Sequence, residues 1–174
     1  KGDKSVVDAL TNRDGRMQGT VVPELRFQGM ISNYSSSGYS SLKFLNEQFK
    51  DDQMGTSYVN TTDAPIIRYG EVLMNYAEAA AELGTLTQAE LDKSLNVLRA
   101  RAGVNLPKLE ILAGQPAVNG KVYDDPNRDA SVTSLLWEIR RERRAELIFE
   151  GFRLDDLKRW KKLDYADTQK NPAI

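Results

Sequence analysis

Hydrophobic and polar positions alternate most regularly in two stretches of the chain. Between Tyr69 and Leu83, residues Val72, Leu73, Tyr76, Ala80 and Leu83 recur at the 3.6-residue helical period, and alanines at 77, 79, 80 and 81 leave room for a second helix to come close. Gly84 is placed to close this helix. Thr87-Gln-Ala-Glu90 is a capping box that opens another helix, whose Leu91, Leu95, Leu98 and Ala102 share a face and which Gly103 ends. So short a connection predicts an antiparallel helical hairpin over 66–103, close in length to one tetratricopeptide unit. One such unit cannot bury its own face, so it is expected to stack on other helices.

The second stretch is 133–163, predicted to hold the C-terminal helices. Leu136, Ile139, Leu147 and Ile148 fall at roughly helical spacing, with the N-cap left open among Ser131, Thr133 and Ser134. The face between them carries Glu142, Arg143 and Glu146, where a plain amphipathic helix would place leucines. Glu138, Glu142, Glu146 and Glu150 form a like-charged row at four-residue spacing, which repels unless cations meet it from elsewhere. Two readings fit: a solvated charged face, or an ion-pair lattice that locks this helix to its neighbours. The lattice would comprise Arg68, Glu71, Glu142, Arg143, Glu146 and Glu150, with Arg99 and Arg101 as further partners of the row. Gly151 interrupts the pattern as a C-cap or hinge. A short helix follows, with Phe152, Leu154, Leu157 and Trp160 as its apolar side, acids at its start and bases at its end, as the helix dipole favours. Trp137 and Trp160 read as packing residues.

The remaining segments are rich in turn formers. Residues 1–65 are punctuated by Asn12-Arg-Asp-Gly15, Pro23, Ser35-Ser-Ser-Gly38 and Gly55, and read as loops with a few short strands. Residues 104–132 read as a second irregular loop, with Lys121-Val-Tyr123 as one short strand, and 164–174 is a polar tail.

Composition narrows the chemistry. The 174 residues contain no histidine and no cysteine, which removes thiol nucleophiles, disulfides, Cys/His zinc sites and the usual general base. The adjacent carboxylates Asp51-Asp52, Asp124-Asp125 and Asp155-Asp156 point in different directions and make no acid–base couple across a cleft. Asp124, Asp125, Asn127 and Asp129 lack the glycine and terminal glutamate of an EF-hand loop, and the glycines are too isolated for a phosphate-binding loop. Glutamates interleave the arginines of 140–144, and the net charge is −1, which argues against nucleic acid. No catalytic residue, metal or cofactor is expected. No apolar run is long enough to span a membrane.

Three blocks carry a resemblance: IIRYGEVLMNYAEAAAELG at 66–84, LNVLRARAG at 95–103, and IRRERRAELIFEGFRLDDLKRWK at 139–161. In this order and spacing they resemble the C-terminal half of the SusD-like (RagB/SusD) family. The resemblance implies a mainly α fold of tetratricopeptide-type helix pairs with long irregular loops and a few short strands. It also implies non-catalytic capture of nutrients, chiefly glycans, by a lipid-anchored protein at the outer-membrane surface of Bacteroidetes. The implied partner is a TonB-dependent, SusC-like transporter. Family members are longer and this chain opens on Lys1, so 1–174 is expected to be a fragment of one such domain with a truncated tail. Sugars stack on aromatic faces and hydrogen-bond amides and hydroxyls, so Asn33, Tyr34, Tyr39 and Tyr58 are the candidate ligand contacts. Asn60 and Tyr123 stand behind them. The alternative is a helical-repeat scaffold that binds a protein or peptide.

Overall fold

The computed structural model describes residues 5–24, 39–44, 46, 48, 63, 65–167 and 169. The chain divides into two compact units, Lys1–Ile66 and Ile67–Ile174. Its regular structure is mainly helical.

The first unit holds helices α1 (Val6–Leu10) and α2 (Gly15–Gln18). Ser5 opens α1 with a reciprocal capping box to Asp8, and Asp14 caps α2 by accepting from the Arg16 backbone N–H. Beyond α2 the described residues include an antiparallel bridge, Val21 to Ser41, flanked by Val22 N–H to Ser40 O at 2.9 Å. Leu10 and Val21 form a small apolar contact there.

The second unit is built on α3 (Tyr69–Glu82), which packs on α6 (Ser134–Glu146) and on the pair α4 (Gln88–Lys93) and α5 (Leu95–Arg99). Leu73, Met74 and Ala77 of α3 meet Leu91, Leu95 and Leu98 from α4 and α5, together with Leu109 and Ile139. Gly84 follows α3 at φ 69°, the left-handed geometry that glycine supplies at a helix end. Thr87 forms the expected capping box with Glu90.

Several expectations for this unit need correction. The second helix of the hairpin is not continuous. Buried Ser94 takes φ −122° and ψ −97°, and its Oγ donates to the Glu90 carbonyl at 2.7 Å, a local bond that competes with helix propagation. The helical turns end at Arg99, so Ala102 is exposed rather than part of the core face. The segment 104–132 is not simply irregular: it contains an antiparallel meander of β1 (Glu110–Leu112), β2 (Gln115–Val118) and β3 (Lys121–Val122). Its two hairpin turns, Ala113-Gly114 and Asn119-Gly120, have positive φ at both central residues, as two-residue turns that match strand twist require. The side chains of α4 and α5 satisfy the edge of this meander. Asn96 donates to Leu109 O at 2.9 Å and accepts from Leu109 N–H at 2.8 Å, while Gln88 accepts from Ile111 N–H at 2.8 Å.

Thr133, one of the three candidate caps, opens α6. α6 stops at Glu146, and Gly151, at φ 85°, is the N-cap of α7 (Phe152–Arg159) rather than the C-cap of α6. A short 3₁₀ turn (Leu163–Ala166) then brings Tyr165 beside Trp160 and Leu157. Leu154, expected on the apolar side of α7, is exposed.

Candidate functional site

Where the glutamate row of α6 meets α3, α5 and α7, it is buried and met by cations. Glu142 is fully buried, and its Oε1 accepts from Arg99 of α5 at 2.5 Å and from Arg141 at 2.7 Å. Glu146 accepts from Arg68 at 2.8 Å and from Arg101 at 3.0 Å. Arg68 reaches on to Glu150 at 2.6 Å and to the Glu146 carbonyl at 2.6 Å. Burial raises the Glu146 carboxyl, but hydrogen bonds and charge from Arg101 and Arg68 outweigh it and hold the group below its ordinary value. Arg143 crosses to Asp156 of α7 at 2.8 Å and to Asn75 of α3 at 2.6 Å. Of the residues assigned to a lattice, Glu71 takes no part among the described residues. It sits half-buried in the first turn of α3, where its charge favours the helix N-terminus instead.

Glu78 of α3 is a second hub and was not anticipated. It is buried and accepts from Trp160 Nε1 at 2.6 Å and Arg159 at 2.8 Å, with Arg140 Nε at 3.5 Å. Trp160 is therefore more than a packing residue. Its ring is also approached by three guanidinium groups: Arg140 at 4.4 Å, Arg159 at 5.3 Å and Arg153 at 5.7 Å from the centroid.

Beside this ring lies a half-open pocket of about 170 Å³ between α6, α7 and the 3₁₀ turn. Trp137 and Tyr165 form one wall in an edge-to-face pair at 6.1 Å, and Trp160 forms another. Arg140, Arg141, Arg144 and Arg153 supply positive charge, and Asp125 is the acidic residue of the lining. Asp125 is engaged, since it accepts from Trp137 Nε1 at 3.0 Å. The 3₁₀ turn is pinned from outside the pocket by Asp129, which accepts from Lys162 and Tyr165 at 2.5 Å each. Those bonds hold the Asp129 carboxyl well below the usual range. Burial, followed by the bond to Asp129, pushes the Tyr165 hydroxyl far above its ordinary value, so it remains a neutral donor.

None of the candidate glycan contacts is among the described residues that line this pocket. Tyr39 belongs to the first unit and is 45 % exposed. Asn33, Tyr34 and Tyr58 fall outside the described residues, as does Asn60. Tyr123 is half-buried against the core, and burial with the neighbouring Glu138 drives its hydroxyl upward, which marks an anchor more than a platform. The pocket residues escaped the reading of the sequence, although a signal existed. Trp137, Arg140, Arg141 and Arg144 stand at i, i+3, i+4 and i+7, one face of α6 that combines an aromatic with three cations.

Among the described residues no cluster of acidic side chains is arranged to hold a metal ion, and no helix is long and apolar enough to cross a membrane. The family model described as the SusD family matches residues 9–173, nearly the whole chain. The chain belongs to the SusD family. No curated protein and no solved structure matches it. SusD proteins bind nutrients at the cell surface and are not enzymes. Within this SusD chain the blocks that carry the family resemblance coincide with α3, α5, α6 and α7, the helices joined by the buried ion pairs.

Proposed function

We propose that this SusD protein captures oligosaccharides at the outer-membrane surface and hands them, unmodified, to a TonB-dependent SusC-like transporter. Membership of the SusD family across residues 9–173 is the observation that carries this reading. In it, the helices of the second unit form a rigid scaffold, and Asn33, Tyr34, Tyr39 and Tyr58 offer aromatic and amide contacts to sugar rings. Attachment to the membrane is through an N-terminal lipid, and the source is a member of the Bacteroidetes.

A second reading, docking of a peptide or protein on a tetratricopeptide-like scaffold, draws on one observation. Tyr69, Val72, Tyr76 and Leu83 are all exposed and share a face of α3. Calorimetric titration of the protein with a panel of oligosaccharides, and with peptides in parallel, separates the two. Saturable binding of a glycan that is recovered intact supports capture and transfer. Binding confined to peptides transfers the weight to the scaffold reading.

A further inference from the structure

Arg153 differs from the ion-paired arginines that meet the glutamates of α3 and α6. It is half-buried on α7, yet it makes no hydrogen bond or ion pair to a carboxylate among the described residues. Its neighbours define its field. Burial, followed by the charge of Arg144, lowers its affinity for a proton, while Asp156 and Tyr165 act on it only at a distance. Asp156 is already committed to Arg143 at 2.8 Å and to Arg159 at 3.0 Å. The cations beside Arg153 are differently placed: Arg141 is held by Glu138 and Glu142, and Arg140 by Glu82 at 2.9 Å. A guanidinium withdrawn from water without a counter-ion is unfavourable, and an oxyanion delivered to it forms a charge-assisted, two-point contact.

The aromatic walls specify what the anion is attached to. Trp137, Trp160 and Tyr165 present hydrocarbon surface, which suits the apolar face of a pyranose ring. At about 170 Å³ the space is below the roughly 300–1,000 Å³ of pockets that enclose whole small molecules, so it takes one ring and its substituent. We propose that the α6–α7 pocket is a subsite for an acidic sugar residue, a hexuronate, whose carboxylate is received by Arg153 and whose ring lies against Trp137. The proposal rests on the glycan-capture reading and adds a substrate class to it: uronate-bearing oligosaccharides.

The chain's two tryptophans, Trp137 and Trp160, both line this pocket, so intrinsic tryptophan fluorescence reports its occupancy directly. Titration with a uronate-terminated disaccharide is expected to give a saturable change that weakens as salt is raised, and the neutral disaccharide of the same linkage is expected to give none. Arg153→Gln is expected to weaken the uronate response about tenfold or more, the value of a charge-assisted contact at 1.4 kcal/mol per decade. Thermal melting of the same variant controls for folding, and Trp137→Phe, which leaves one reporter in place, supplies a second test of the wall. A silent fluorescence titration, an equal response to the neutral sugar, or a response that sodium sulfate reproduces at equal concentration would overturn the subsite. Calorimetric binding of a neutral oligosaccharide, unchanged in Arg153→Gln, would leave glycan capture standing while the subsite falls. Absence of all glycan binding removes both.

Discussion

The two faces of α6 handle charge in opposite ways. On the face toward α3 and α5, Glu142 and Glu146 are almost completely buried and each is bonded to two arginines. On the face toward α7, Trp137, Arg140 and Arg144 line an open pocket with Arg153, which no carboxylate meets among the described residues. The first arrangement fixes how helices sit against one another; the second leaves positive charge beside aromatic surface for something that arrives from outside. Buried ion pairs gain little over well-packed hydrophobic residues, but removing one partner strands the other, so the lattice face is the sensitive one. Glu142→Ala leaves Arg99 buried with, among the described residues, the Pro107 carbonyl at 2.7 Å as its remaining acceptor. A loss of about 3–5 kcal/mol in urea unfolding is expected. A loss below about 1 kcal/mol would mean that water replaces the carboxylate and that the face is not sealed.

The clamp between the helical hairpin and the meander should respond less. Asn96→Ala removes the acceptor of the buried Leu109 N–H, while the Leu109 carbonyl keeps a bond from Gln88 at 3.1 Å. One orphaned donor predicts a loss of about 1–3 kcal/mol, and hydrogen exchange at Leu109 should accelerate with it. Gly70 is tested in the same range by a different cause. A Cβ built there would lie 2.2 Å from Arg68 Nη1 and 3.1 Å from Glu146 Oε1, and Arg68 cannot easily retreat because it is bonded to both Glu146 and Glu150. Gly70→Ala should therefore cost about 1–3 kcal/mol, and in an Arg68→Ala background it should cost almost nothing further. Equal costs in both backgrounds would show that the glycine serves the backbone and not the arginine.

Acid should reach the pocket wall through Asp129. Its carboxyl titrates below its ordinary value of 3.8 because Lys162, then Tyr165, bond the charged form. A depressed value in the folded state contributes stability that is fully present above about pH 4 and disappears as pH falls through the folded value. Near-ultraviolet circular dichroism of the Trp137–Tyr165 pair should hold constant from pH 7 to about 4 and decline below it, and Asp129→Asn should already show the reduced signal at pH 7.

The helices were legible because their signals are local. The 3.6 period of α3, the Thr87–Glu90 box and Thr133 among the possible caps act within one or two turns. Asn119-Gly120 is an equally local hairpin signal, yet of the meander only β3 stands out as a strand in the sequence, because β1 and β2 are only three and four residues long, too short for alternation to stand out. The break at Ser94 was illegible for a different reason. Leu91, Leu95 and Leu98 keep helical spacing across it, and a serine's bond to the preceding turn leaves no mark on the pattern. For the charged row, the four-residue spacing from Glu138 to Glu150 called for cations, and Arg68, Arg99 and Arg101, the candidates the sequence offers, do meet Glu142 and Glu146. Glu71 is the exception: it lies near Arg68 in sequence but takes no part among the described residues, while Arg101 reaches Glu146 across 45 residues. The pocket depends on α7 folding back beside α6, a turn that Phe149 and Gly151 make at φ 65° and 85°. Before that geometry was known, arginines spaced along the chain looked like partners for glutamates and nothing else.

The smallest stability effect expected is at the pocket, and it discriminates between the two faces most directly. Arg153→Met keeps the length and most of the apolar contact of the side chain against Trp160, but discards a charge that is half withdrawn from water and repelled by Arg144. With no bonded carboxylate to strand, the exchange should leave the thermal midpoint unchanged or raise it by the equivalent of up to about 1 kcal/mol. The same exchange at Arg99, which is buried against Glu142, should lower it sharply. A clear loss of stability in Arg153→Met would mean that its contact with the Trp160 ring holds α7 in place, making Arg153 a part of the scaffold. An unchanged or raised midpoint leaves binding as the reason a cation stands at this position, because folding is then no better for it.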